Sequence, residues 1–452
     1  MRRLNPTLVF LAVLAFSVSS QPSALEPPSR QRPIRWPTRI IKIALSTSLT
    51  ESSTSIVAGS DVKGALQRAL DTWSSASGIK FVVSPSNATS ISPAGAGDGF
   101  NLITVAPTAE NLAIFTGGNN AARTRVLYDQ VTGEISEADI VINPYPRSAE
   151  GAALLFSTDG TPGTYDLEST FAHEIGHVLG LNHSNVIAAT MQETQGINGT
   201  FGMPAIDERS LSEVDRVAVR ALYGPCENLG MVNGKVLNDL QGRNAPASGA
   251  HVWIEAIDSG RVIASSVVAA GGRFNIGCLP AGQYRAVVEN VEGQADDSVP
   301  GMREPKLTGR QKILRSTEIS SFLNVSADTH SPLSFLLAPV QSTVRTLRPR
   351  FFGINGDLST VPVTVAAGSL LRLYVGGPGV DQVSGSGLLV SSPYVTVDPA
   401  SLKLQPGRST PVISFDVTIA ADAPPGDYSL RLQSKSGQLA YLVGAITVNP
   451  TH

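Results

Sequence analysis

The chain has 452 residues, which at roughly 150 residues per domain predicts about three domains. Hydrophobic residues make up 42% and charged residues 16%, which excludes a charge-rich disordered chain; 42 Gly and 30 Pro without a Gly-X-Y period point to many turns and exclude collagen. A formal net charge of −3 offers no basic surface to nucleic acid.

Arg2 and Arg3 precede an apolar run, Leu8 to Val18, and small residues follow it, so residues 1–20 read as a signal peptide cleaved before Gln21. The alternative, an anchor helix, needs a longer run, and no later stretch reaches the ~18 apolar residues of a membrane span. The mature chain is therefore expected to be secreted and extracellular. Its two cysteines, Cys226 and Cys278, are expected to form one disulfide in an oxidising compartment, with free buried thiols as the alternative.

Residues 21–38 are rich in Pro and Arg and read as extended. Arg39–Ser46 reads as an Ile-rich strand. A helix capped by Ser60 follows, with Val62, Leu66, Ala69, Leu70 and Trp73 on one face and Gly78 as its stop. Short strands are predicted at Lys80–Val83 and Leu102–Val105; Arg125–Tyr128 and Ala138–Asn143 read as a hairpin around Gly133. After a Gly/Thr/Asp loop, Thr158–Thr164, comes a helix capped by Asp166 and ended by Gly180.

Leu167, Phe171, Ile175 and Val178 form the apolar face of that helix, while His173 and His177, at i and i+4, share another face and can converge on one ion. Glu174 lies about 100° around the helix from His173. A left-handed turn at Gly180 lets the chain double back and bring His183 to the same ion. Three neutral imidazoles leave one catalytic zinc dipositive with a fourth position open to water, whose pKa falls to near 7. Glu174 is then the expected general base. The alternative, two buried helical histidines and an unrelated loop histidine, leaves unexplained why the first 225 residues contain just these three.

The run His173-Glu-Ile-Gly-His177-Val-Leu-Gly180-Leu-Asn-His183 fits H-E-x-x-H-x-x-G-x-x-H and resembles the metzincin metalloendopeptidases. Ser184, and Met191 eight residues past the third histidine, resemble the matrixin branch, where the methionine forms a Met-turn, a hydrophobic floor under the metal. Weaker similarity extends to Ala69–Phe81 (first helix and following strand), Ala138–Ile142 (a sheet strand) and Leu211–Gly224 (the terminal helix). In the last of these, Ser212 and Asp215 form a capping-box-like pair and Gly224-Pro225 is the stop. The resemblance implies a catalytic domain over residues 34–225 that folds alone, with protein or peptide substrates.

The chain also departs from that family. No histidine is available for the second, structural zinc of animal matrixins, and no cysteine precedes Cys226 to serve as a cysteine switch. The stretch from Asn143 to Asp166 is short, which predicts a trimmed or rebuilt substrate-pairing edge. Gln192 and Glu193 follow Met191 where astacins and serralysins carry a tyrosine ligand, and the terminal helix has Asp215 beside Val214 in place of two aspartates. Ca2+ would find oxygen ligands at Asp98, Asp159 and Asp166; the alternative is that these residues bond their own turns.

From residue 226 onward strands alternate with Gly/Pro turns. Gly234-Lys-Val, Gly249–Ala256, Gly272–Ile276 and Leu279–Ala286 resemble a carboxypeptidase-regulatory-like, transthyretin-like β-sandwich over 226–340, in which His251 is expected to be a surface strand residue. Val395–Val397, Val412–Ile419 and Pro425–Leu432 read as strands of an immunoglobulin-like β-sandwich over 341–452. Both are read as spacers, with surface or polysaccharide contact as the alternative. The expected fold is thus multidomain: an α+β metzincin domain, a twisted mixed sheet with three helices, then two all-β sandwiches. The expected function is a secreted zinc endopeptidase; the alternatives are an adhesion protein on a metzincin scaffold and a self-processing metalloprotease.

Overall fold

A computed structural model describes residues 33–450, save 52, 94–95, 116–119, 149–150, 241–242, 291–316, 319–322 and 338–346. The expected signal peptide and the expected boundary near residue 340 lie outside the described residues.

Strand β1 (Ile40–Ser46) alternates: Ile41, Ile43 and Leu45 face the core while Ile40 and Lys42 are exposed. Helix α1 (Val62–Ser77) buries Val62, Leu66, Leu70 and Trp73 and stops at Gly78, whose φ is 68°. Its cap is Asp61 and not Ser60: the helix starts one residue later, and the Asp61 carboxylate accepts the Gly64 amide at 2.9 Å. Strands β2 (Lys80–Ser86), β3 (Leu102–Thr104), β4 (Ala122–Tyr128) and β5 (Ile135–Ile142) complete a sheet of order β2-β1-β3-β5-β4. Its pairings are parallel except for β4 against β5. The outer edge, β4, has seven residues; among the described residues the stretch after Asn143 adds an isolated bridge, Arg147 with Ala153, and a two-residue ladder, Phe156–Ser157 on Tyr165–Asp166.

Helices α2 (Leu167–Val178) and α3 (Glu213–Tyr223) finish this α+β domain. Leu167, Phe171, Ile175 and Val178 join Trp73 and the sheet residues in one core. The Trp73 indole donates to the Ala172 carbonyl at 2.6 Å, so the two longest helices are locked by a polar as well as an apolar contact.

The remainder is all β. Strands β6 (Gly230–Leu240), β7 (Arg243–Pro246), β8 (Ala250–Ala256), β9 (Val262–Val267), β10 (Arg273–Leu279), β11 (Gly282–Asn290), β12 (Thr317–Glu318), β13 (Leu323–Val325) and β14 (His330–Leu337) form two sheets. One runs β10-β6-β14 with β7 on β6, the other β9-β8-β11-β12 with β13 on β11. Val232, Phe274 and Phe335 of the first share a core with Val252, Ile254 and Val288 of the second. The last region holds β15 (Phe351–Ile354), β16 (Val363–Val365), β17 (Leu370–Gly376), β18 (Val383–Val390), β19 (Val395–Leu404), β20 (Val412–Ile419), β21 (Gly426–Ser434) and β22 (Leu439–Val448). Its sheets, β15-β17-β20-β19 and β16-β22-β21-β18, meet over Leu373, Phe415, Leu430 and Ile446.

These regions are not separate beads. Val186, Ala189 and Val214 of the α+β domain pack in one cluster with Trp253, Val262 and Val287 of the middle region and Tyr441 and Val443 of the last. Val217 on α3 belongs to the middle region's core. The Ile187 amide donates to the Val443 carbonyl at 2.8 Å, and Cys226, just past α3, is disulfide-bonded to Cys278 on β10. Part of the apolar surface of residues 34–225 thus packs against the β regions. The surface position expected for His251 is corrected. It is 2% exposed, because β8 is central in its sheet and buried along its whole length. The ring stacks on Trp253, Nε2 has no hydrogen-bond partner, and burial pushes its pKa down to about 3.

Candidate metal centre

The centre grows from the start of α2. Asp166 caps it, accepting the Ser169 amide at 2.9 Å and the Arg209 guanidinium at 2.9 and 2.5 Å. The helix ends where the sequence places a Gly. Gly180 has φ 90°, and a Cβ there would lie 2.2 Å from the Ile34 carbonyl oxygen, so both the left-handed turn and the close approach require its missing side chain.

That turn brings three imidazoles together. Nε2 of His173 and Nε2 of His177 are 3.1 Å apart, and His183 Nε2 lies 3.2 and 3.1 Å from them. Among the described residues this is the group of His, Cys, Asp or Glu side chains arranged to hold a metal ion. Nδ1 of His173 donates to the Thr190 carbonyl, and Nδ1 of His177 to the Leu181 carbonyl, both at 2.8 Å. With the ring hydrogen fixed on Nδ1, each Nε2 of this pair presents a lone pair. Burial, then the neighbouring imidazoles, hold His177 well below its ordinary pKa and so in the neutral form that ligates. Three converging imidazole nitrogens at this spacing fit zinc, with Zn–N bonds of about 2.0–2.1 Å.

Glu174 is 5% exposed. Burial pushes its pKa up to about 7, against the opposing effects of a hydrogen bond from Thr124 and the charges of His183 and Arg123.

The loop after His183 is held at both ends. The Ser184 amide donates to the Met191 carbonyl at 2.7 Å. Asp215, buried on α3, accepts the Thr190 amide at 2.7 Å and the Met191 amide at 3.2 Å, while Ser212 caps the same helix and gives it N–H and O–H. One aspartate thus ties α3 to the loop, and its neighbour Val214 turns into the inter-domain cluster. Met191 is buried against α2 at Gly176, where a Cβ would lie 2.1 Å from its Sδ.

Among the described residues, Asp98, Asp159 and Asp166 do not form a group that could hold a metal ion. Asp98 accepts the Phe100 amide, Asp159 accepts Thr161 N–H and O–H, and Asp166 is used by its helix and Arg209. Nothing supports bound Ca2+. The sequence reading missed Thr124 and the use made of Asp215: a strand threonine carries no motif, and Asp215 looked like a helix-cap partner alone.

The matrixin family profile matches residues 121–224. Metalloendoproteinase 4-MMP of Arabidopsis thaliana is 27% identical over 197 residues, which cover 43% of this chain and 49% of that protein. The chain thus spans about half the length of this curated relative. Similar solved structures include a minor pilin of Streptococcus agalactiae (12% identity, 27% of this chain and 49% of that one, TM-score 0.17). Another is a Bacteroides ovatus glucan-utilisation protein solved with a mixed-linkage heptasaccharide (16% identity, 45% and 37%, TM-score 0.16). Scores this low carry no argument about the β regions. The partial matrixin match and the clustered triad support a metzincin-like zinc-protease domain with a metalloprotease-like function.

Proposed function

We propose that this protein is a secreted zinc endopeptidase in which His173, His177 and His183 hold one zinc, Met191 floors the site and Glu174 is the general base. The observation that carries the reading is a buried carboxylate on the same helix turn as two of three converging imidazoles. A bound zinc would supply the Lewis acid that polarises a peptide carbonyl and acidifies water. The chain's own residues do the rest. Glu174 takes a proton from the attacking water as the C–O bond forms, and returns it to the amine nitrogen as the C–N bond breaks. Strand β4 lies at the sheet edge, where an extended peptide could add as a further strand. The Arg2–Val18 leader pattern and the Cys226–Cys278 bridge support an oxidising, extracellular destination.

The test is cleavage-site profiling on a peptide library with purified protein. Glu174→Gln is expected to keep zinc and fold and to lose about 10²–10⁴-fold in rate. A Glu174→Gln protein as active as wild type sinks the mechanism.

A further inference from the structure

Thr124 sits in the middle of β4, paired with Ile140 of β5, and is fully buried. Its hydroxyl lies 2.5 Å from Oε2 of Glu174 and 3.2 Å from the main-chain oxygen of the same residue. Among the described residues it is the one side chain that hydrogen-bonds this carboxylate; the guanidinium of the adjacent Arg123 is given to Asn120 instead. A β-branched side chain on a paired strand has few rotamers, so the donor is held by the sheet and not by the helix that carries its acceptor. One oxygen of the carboxylate is thereby occupied, and proton exchange falls to the other.

We propose that Thr124 is a positioning residue for the reaction: by pinning Oε2 of Glu174 it fixes the carboxylate and reserves Oε1 for the proton. The proposal rests on the reading of Glu174 as general base. If Thr124 instead only satisfies a buried carboxyl group, its loss lowers stability and leaves turnover per folded, zinc-loaded molecule untouched.

The experiment uses the full-length zinc-loaded protein. Thr124→Val, close to isosteric, removes the donor, and Thr124→Ser restores it. Expected for Thr124→Val is a kcat about 10- to 100-fold lower, with KM within about twofold and zinc content unchanged. Thr124→Ser is expected to recover most of the loss. A readout independent of turnover is the double-mutant cycle of Thr124→Val with Glu174→Ala on urea unfolding of the domain. It should show coupling of about tenfold or more in the unfolding constant. Wild-type kcat in folded Thr124→Val, a loss that serine does not repair, or additive unfolding effects would each overturn the proposal. An inactive wild type, or an undiminished Glu174→Gln, would overturn the endopeptidase reading instead, while the cycle still reports the hydrogen bond. If Thr124→Val does not fold, the kcat/KM split in Thr124→Ser and Thr124→Cys takes its place. Turnover tracking hydroxyl over thiol supports the proposal, and equal turnover refutes it.

Discussion

Cutting the chain after Pro225 should cripple a domain that contains every residue of the candidate centre. The cut uncovers Val186, Val214 and Val217, each at most 3% exposed in the whole chain, together with Ala189, and removes the Ile187–Val443 hydrogen bond. Full burial of a valine contributes about 1.5–3 kcal/mol, so these side chains together lose roughly 5–8 kcal/mol of burial. A domain of this size has about 5–15 kcal/mol of total stability. The fragment 33–225 is therefore expected to melt roughly 10–30 °C below the corresponding transition of the full chain, or to aggregate. Calorimetry with near-ultraviolet circular dichroism reads the shift, and zinc retention after desalting reports on the loop from His183 to Met191, which loses its partner in β22. Fragment and full chain melting within about 5 °C would refute the reasoning, since it would mean that covering these side chains contributes almost nothing.

Elemental analysis of the desalted full chain should give about one zinc, and His177→Ala should lose it; two zincs per chain would contradict the single-triad account. Gly176→Ala drives a methyl group into Met191 and should cost about 1–3 kcal/mol and weaken zinc retention, measured by chelator competition. His251 is neutral in the folded chain down to about pH 3, whereas the unfolded chain takes up its proton below about 6.5. Stability should therefore fall by about 1.4 kcal/mol per unit as pH drops through that window; His251→Phe should flatten the acid limb, and an unchanged limb would refute the assignment.

The centre was legible because its chemistry is written in short-range spacing. Residues i and i+4 on a helix must share a face, and a Gly three residues on can take the turn that returns His183. The apolar faces of α1 and α2 followed from the same periodicity. Periodicity says which face is apolar but not what covers it. Nothing local marks Val186, Ala189 and Val214 as packing against Trp253, Val262, Tyr441 and Val443, which lie far along the chain. The same blindness put His251 on the surface, for a strand buried on both faces looks like any other short β run. Ser60 lost the cap to Asp61 by one residue, within the ordinary slack of helix ends. Thr124 and Glu174 meet across 50 residues, a distance no local pattern spans.

The bridge joins Cys226 to Cys278 across a sequence separation of 52. A single backbone cut anywhere inside that loop leaves two pieces still joined through sulfur. Without reductant such a chain migrates and sediments as if whole; with reductant it parts. A protease that trims itself between these residues would do so unseen by any non-reducing gel. With only two thiols in the whole sequence, reoxidation inside one chain can restore only the same link.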